Sequence, residues 1–357
     1  MFGLFTNHPA NLALAARELR LSHDGAYRLF GERDGIYVSA RLWKQQSGDN
    51  THYYTTVEAA HPVPLRMSLN ASREGSLGRF VRSALGGQDI ATGRHDFDRQ
   101  FHVRAHDPPR AVALLEHAGV RQAMLAVLEA RRSQLSVTDT SASITIGGWH
   151  SDLEELRAML NSVFPVAVAV RDVRAQIPSS DAEKRAQGSL GPAAVAMGLS
   201  FDAAQLSVSG PRPRRTVSMR AVYQQDGGFI TEFDVRFAES LNLSLRLLPQ
   251  GGVFSAIGEF FGTQDVVVGH TGFDAAFKVK GQPEDKVREL LSGDVAAHIF
   301  ALRQVASDLE MTDQGVRATA VGLRDDTAAL VKSLGVVDAL AAAMVERTWG
   351  GTATPYR

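Results

Sequence analysis

Apolar and polar positions along this chain follow two periods, and the order in which the periods appear is repeated. Leu12, Ala15, Ala16 and Leu19 recur at helical spacing and predict an opening helix. Leu65, Met67 and Leu69 then alternate with polar neighbours. Leu241, Leu243, Leu245 and Leu247 do the same around Asn242, Ser244 and Arg246, and a period of two predicts half-buried antiparallel strands. Phe233, Val235 and Phe237 alternate with Asp234 and Arg236, which predicts a strand beside that of the four leucines. The stretches after Gly93 and Gly269 read as strands carrying Phe97, Phe101 and Val103, and Phe273, Phe277 and Val279. Val120, Met124, Leu125, Val127 and Leu128 predict a helix. A hairpin follows, with Leu135 and Val137, a polar turn over Thr138 to Ser141, then Ile144 and Ile146, ended by Gly147 and Gly148. Ser151 with Glu154 matches a capping box opening a helix that carries Leu153, Leu156, Met159 and Leu160. In the second half Asp325 is the expected cap, ahead of Leu330, Val331 and Leu334.

Laying the chain on itself explains the recurrence. Gln88 to Leu115 aligns without gaps on Gln264 to Leu291, with about a third of the positions identical. Shared residues include Gln88/Gln264, Asp89/Asp265, Gly93/Gly269, Phe97/Phe273, Asp98/Asp274, Phe101/Phe277 and Val103/Val279. Upstream, Val38, Ser39 and Arg41 match Val217, Ser218 and Arg220, and Gln45-Gln46 match Gln224-Gln225; downstream, Thr138-Asp139 match Thr312-Asp313. The reading is therefore a duplication, with repeats at residues 1–175 and 176–357 joined in the polar stretch Gln176 to Ser180. Strands followed by helices around a hairpin, without sustained βαβ alternation, predict an α+β fold: two antiparallel sheets, each covered by helices mainly on one face.

Phe97-Asp98, Phe101, Val103, Asp107 and Leu114-Leu115, followed by a helix rich in Leu and Ala and a closing strand, carry a likeness. The stretch resembles the bacterial DUF3137 family of uncharacterised proteins, and the repeat at Phe273-Asp274, Phe277 and Val279 is similar to it. The resemblance implies a fold and brings no catalytic residues with it.

Composition narrows the chemistry. The 357 residues are 44% hydrophobic and 22% charged, the proportions of a globular chain, and 38 basic against 39 acidic residues leave a net charge of -1. That balance gives no reason to expect nucleic acid as a partner. The absence of cysteine excludes disulfides, thiolate metal sites and cysteine nucleophiles. The longest apolar run, Val163 to Val170, is broken by Pro165, so no transmembrane segment is expected and a cytoplasmic location is the default. Phe2, Leu4 and Phe5 offer a minor route to peripheral membrane attachment.

The densest cluster of candidate ligands is Gly93 to Asp107, with His95, Asp96, Asp98, His102, His106 and Asp107. On a strand His102 and His106 would stand about 13 Å apart, and Lys278 and Gln282 replace them in the second copy. Metal binding by His95, Asp96 and Asp98 is therefore the lesser reading, and no cofactor is expected. Asp98 and Asp274, each beside a core phenylalanine, read as carboxylates that bond turn amides near Gly93 and Gly269. Pro211-Arg212-Pro213-Arg214-Arg215 reads as a basic hairpin loop. No P-loop, dinucleotide fingerprint, zincin motif or nucleophile elbow is present. The favoured function is a non-catalytic binding or assembly module, a pseudo-two-fold tandem repeat with a protein partner or self-association. The alternative is a small-ligand or metal-dependent enzyme with its site in the cleft between the domains.

Overall fold

The computed structural model describes residues 7–73, 90–130, 134–224, 226–250 and 265–350. Phe2, Leu4, Phe5, Gln88, Asp89, Gln225 and Gln264 lie outside the described residues. The chain divides into two units, the first ending at Pro178 and the second taking the remainder from Ser179 apart from residues 225–227.

The first unit runs α1 (His8–Leu19), β1 (Ser22–His23), β2 (Arg28–Arg33), β3 (Ile36–Ser47), β4 (Asn50–Ala60), β5 (Asn70–Arg73), α2 (His95–Asp98), β6 (Phe101–Arg104), α3 (Pro108–Glu116), α4 (Ala118–Ala130), β7 (Gln134–Thr138), β8 (Ser141–Gly147) and α5 (Leu153–Arg174). The second repeats the order as α6 (Asp181–Met197), β9 (Ser200–Asp202), β10 (Ser207–Arg212), β11 (Arg215–Tyr223), β12 (Phe229–Phe237), β13 (Arg246–Pro249), α7 (Thr271–Ala276), β14 (Phe277–Lys280), α8 (Glu284–Leu290), α9 (Gly293–Val305), β15 (Asp308–Thr312), β16 (Gly315–Val321) and α10 (Thr327–Trp349). Each unit holds one eight-stranded antiparallel sheet. The first has the order β1-β2-β3-β4-β8-β7-β5-β6 and the second, read the same way, β9-β10-β11-β12-β16-β15-β13-β14. The two orders coincide strand for strand, so the fold is α+β with two similar sheet domains.

Alternation along the strands sends one row of side chains into each core. In β12, Phe229, Thr231, Phe233, Val235 and Phe237 are buried and the residues between them are not. Against that row lies α10, through Leu330, Leu334, Val337, Leu340, Ala341 and Met344. α5 covers β3, β4 and β8 in the same way with Leu156, Met159, Val163 and Val166. Each such Leu, Val or Phe contributes about 1.5–3 kcal/mol when taken fully from water. By length and hydropathy α10 could cross a membrane, which the apolar-run criterion did not register, yet half of its most apolar window is buried inside its unit. Asp338, midway along it, is ion-paired with Arg215 at 2.6 Å. α10 is thus a core helix of the second unit.

Several local expectations need correction. Leu241 to Leu245 alternate in burial and Leu65, Met67 and Leu69 are buried beside an equally buried Arg66, but neither stretch is a strand. Arg66 and Ser68 have φ of 55° and 52°, and Asn242 and Ser244 have 56° and 48°. This left-handed backbone turns its amides toward one carboxylate from the β7–β8 or β15–β16 turn. Asp139 accepts from the amides of Met67, Ser68 and Leu69 at 2.8–3.2 Å. Asp313 accepts from Leu243 at 3.2 Å and Leu245 at 2.9 Å. β12 is likewise not beside β13, because β16 and β15 stand between them. Phe97 and Phe273 sit on the short helices α2 and α7 rather than on strands, and each stacks on the strand phenylalanine four residues later. The cap of α5 is Asp152, which takes the amides of Glu154 and Glu155, while Ser151 bonds His8 and Asn11. Asp326, not Asp325, caps α10.

The left-handed turns in the first unit are also held from outside. Arg110 is buried, and its guanidinium donates to the carbonyls of Leu65 and Arg66 at 3.1 and 3.0 Å. Burial pushes the Asp139 carboxyl above its usual range, against the three amides and Arg110, which draw it back down. Asp139→Ala would leave three amides without their acceptor, and we expect a loss of about 2–4 kcal/mol by urea denaturation. Asp139→Asn, keeping one acceptor oxygen, should lose less; an Ala variant as stable as the native chain would refute this role.

His61, at the end of β4, is buried, and among the described residues neither ring nitrogen has a hydrogen-bond partner of good geometry. Burial holds its pKa down to about 4, although the Thr138 carbonyl raises it slightly. The folded value lies below the unfolded one, so the unfolded chain takes up the proton first. His61's contribution is therefore complete above about pH 6.5 and is lost as pH falls toward 4, a window worth about 3 kcal/mol. Phe237 occupies the matching place in the second unit, its amide bonded to Gln314 as that of His61 is to Thr140. His61→Phe should lose less stability than the native chain between pH 7 and pH 4.5; equal losses in urea melts at the two values would count against it.

Candidate functional site

The polar rows of the two sheets lie on the side away from the core helices, and their pairings set the chemistry of each face, which no described helix of the same unit overlies. In the second sheet Ser207, Arg220, Glu232 and Thr319 form one cross-strand row, and Ser209, Ser218, Asp234 and Arg317 the next. Arg220 meets Glu232 at 2.7 Å. Asp234 is shared between Arg236, at 3.0 Å, and Arg317, at 3.4 Å. The carboxylates form the floor and the arginines the outer layer: Glu232 and Asp234 are 19% and 23% exposed, against 59%, 74% and 44% for Arg220, Arg236 and Arg317. Two shallow hollows of about 320 and 460 Å³ lie over this face and share Asp234, Arg236 and Arg317.

The first sheet builds the matching face from arginines and aromatic rings. Arg41 pairs across the strands with Arg28 and Thr56. Its guanidinium lies 5.7 Å from the ring of Trp43, which stacks on Tyr54 at 4.6 Å. Arg28 lies over Phe30 at 5.5 Å and donates to the Tyr37 hydroxyl at 3.1 Å. Trp43 Nε1 donates to Thr56 Oγ1 at 2.9 Å, which fixes the indole flat along the sheet. Sequence comparison had matched Arg41 with Arg220. Both stand at the same place on the face opposite the core helices, and that identity was the one signal in the sequence that could have located it.

The residues singled out from the sequence occupy another part of each unit. Gly93 and Gly269 have φ of 75° and 92°, a backbone state that glycine adopts without strain. Asp98 accepts from the Thr92 amide at 3.0 Å and hydroxyl at 2.7 Å, both on Oδ1. Asp274 accepts from Val268 on Oδ1 at 2.8 Å and from Gly269 on Oδ2 at 3.1 Å. Phe97, Phe101, Phe273 and Phe277 are buried in their cores. His95 and Asp96 are exposed, and His106 lies beyond the end of β6, off the strand that carries His102. Among the described residues no three His, Asp or Glu side chains converge closely enough to hold a metal ion. The basic run is a hairpin between β10 and β11, and its charges are engaged. Arg212 and Arg215 pair with Asp338, and Arg214 lies 5.9 Å from the Trp349 ring.

The two turn carboxylates respond differently to a conservative change, because Asp98 uses one oxygen and Asp274 uses both. Asp98→Asn should cost little and Asp274→Asn about 1 kcal/mol, whereas Ala at either place should cost about 1–3 kcal/mol. Thermal melts of the four variants give the comparison, and equal effects of Asn at both positions would contradict it.

No protein-family model and no curated protein matches the chain. Among solved structures, the mycobacterial trehalose monomycolate transport factor A is similar over 46% of this chain and 96% of its own, with 10% identity and a TM-score of 0.28, a likeness that carries no argument.

Proposed function

We propose that the chain is a non-catalytic binding or assembly module whose contact surfaces are the faces of its two sheets opposite the core helices. The observation that carries this reading is the placement of arginine at the same outward position of both sheets, Arg41 and Arg220, within surroundings that differ. An outward strand position needs only a solvated side chain to keep the fold. Arginine, tryptophan and tyrosine are the residues that supply most of the contact energy at protein interfaces. They also need no bond-making chemistry to act. The residues that both copies share inside the units, such as Phe97/Phe273 and Asp98/Asp274, hold the scaffold, and the faces are where the copies diverge.

Site-specific photo-crosslinking tests the reading. A benzophenone side chain at Tyr37 or Arg236 should yield a discrete protein adduct in cells, while the same group at Val195, on the outer side of α6, should not. Adducts formed equally from Val195, or none from either face, would refute it.

A further inference from the structure

Resting on that reading, we infer that the face of the second sheet opposite its core helices takes an acidic segment of a partner protein, with Asp or Glu side chains beside an apolar one. Arg236 and Arg317 are each held to Asp234 through Nε. Among the described residues the Nη groups of both guanidinia make no further hydrogen bond, so their N–H donors stay available to a carboxylate while Nε tethers each side chain to the floor. A guanidinium fork matches a carboxylate in two parallel hydrogen bonds, and fixing it beforehand lowers the entropy lost on binding. The floor carboxylates therefore orient the arginines without using up their donors.

Charge across the sheet favours the same occupant. Outward basic residues continue toward the far edge as Lys278, Lys280 and Arg246, which pairs with Glu310 at 3.5 Å. With Arg220, Arg236 and Arg317 they exceed by one the outward acids Asp202, Glu232, Asp234, Asp308 and Glu310. The acids are spaced between the basic groups. A partner with separate carboxylates can meet the arginines and avoid the acids; the regular phosphates of a nucleic acid would meet both.

One further row decides against a purely electrostatic partner. Val222, Ile230 and Val321 pair across β11, β12 and β16 on the same outward side, and Val321 is 81% exposed. Along β16 the outward positions run Val321, Thr319, Arg317, so an apolar contact and an arginine fork stand about 13 Å apart. An extended segment laid along that strand, with an apolar side chain followed four residues later by Asp or Glu, would satisfy both.

Fluorescence anisotropy on the full chain tests this with labelled ten-residue serine-rich peptides, one with Val followed four residues later by Glu (Glu/Val), one with Lys in place of that Glu (Lys/Val) and one with Ser in place of that Val (Glu/Ser). We expect the Glu/Val peptide to bind, the Lys/Val peptide not to bind, and the Glu/Ser peptide to bind more weakly. Arg236→Gln with Arg317→Gln should weaken Glu/Val binding about tenfold or more. Lys184→Gln with Lys332→Gln, on α6 and α10 and away from that sheet face, should leave it unchanged. Circular dichroism checks that every variant keeps its fold. The inference is overturned if the Glu/Val peptide does not bind, if the Arg236/Arg317 pair makes no difference, or if a single-stranded oligonucleotide binds more tightly and displaces it. A crosslinked adduct from Arg236 alongside failed peptide binding would reject the acidic partner and keep the binding-module reading; absence of both would reject the two together.

Discussion

Each unit depends on one half-buried carboxylate gripping a backbone that would not otherwise hold its shape. Asp139 and Asp313 project from the turn of a hairpin and collect amides from a loop with two left-handed residues. Left-handed backbone at residues other than glycine is strained, by about 1–2 kcal/mol each. Amides converging on an anion supply the compensation, because hydrogen bonds to a charged acceptor are roughly twice as strong as neutral ones. The loop in turn fixes where β5 or β13 begins, and so which residues of that strand face the core. Through this bond the hairpin at the centre of each sheet sets the register of the strands beyond it.

The same bond explains where the sequence misleads. Leu241, Leu243 and Leu245 are more buried than Asn242 and Ser244, as on a strand, because a chain alternating between extended and left-handed states also sends its side chains to opposite sides. Leu65, Met67 and Leu69 keep the same apolar spacing around a buried Arg66. Hydrophobic pattern reports burial and is blind to the sign of φ. The pairing of Asp139 with Asp313 was visible in the alignment of the copies, but a shared carboxylate in a polar turn gives no hint of the distant amides it binds. Helices and the central hairpin were legible because their contacts are local, as with Val120 to Leu128 and Leu135 to Ile146. Caps fell one residue from their expected places since Ser151/Asp152 and Asp325/Asp326 are adjacent cap-type residues, and only backbone direction chooses between them.

The candidate faces were harder to see for a related reason. Arg220, Asp234, Arg236 and Arg317 come from three strands, and their order in the chain says nothing about which lie side by side. Histidine and aspartate packed closely in sequence, as between Gly93 and Asp107, drew attention instead, yet the fold spreads those residues between a turn, a strand face and a helix cap. Inside the units the copies share scaffold; on the outward faces they keep one arginine, Arg41 or Arg220, and vary what surrounds it, aromatic in the first sheet and ionic in the second. Duplication followed by divergence of the faces would let one chain hold two different surfaces on a common frame.

The margins of the sheets bear on how such a protein keeps apart from its own copies. On one side each sheet ends in a strand of two or three residues, β1 or β9. On the other side β6 and β14 run for only four, and the amides of Ile90 and Val266 bond back to Val103 and Val279. Little backbone is left for a foreign strand to zip onto, so growth into extended β-aggregates is blocked at both margins. The chain can therefore present broad sheet faces while offering little edge backbone for sheet-to-sheet pairing.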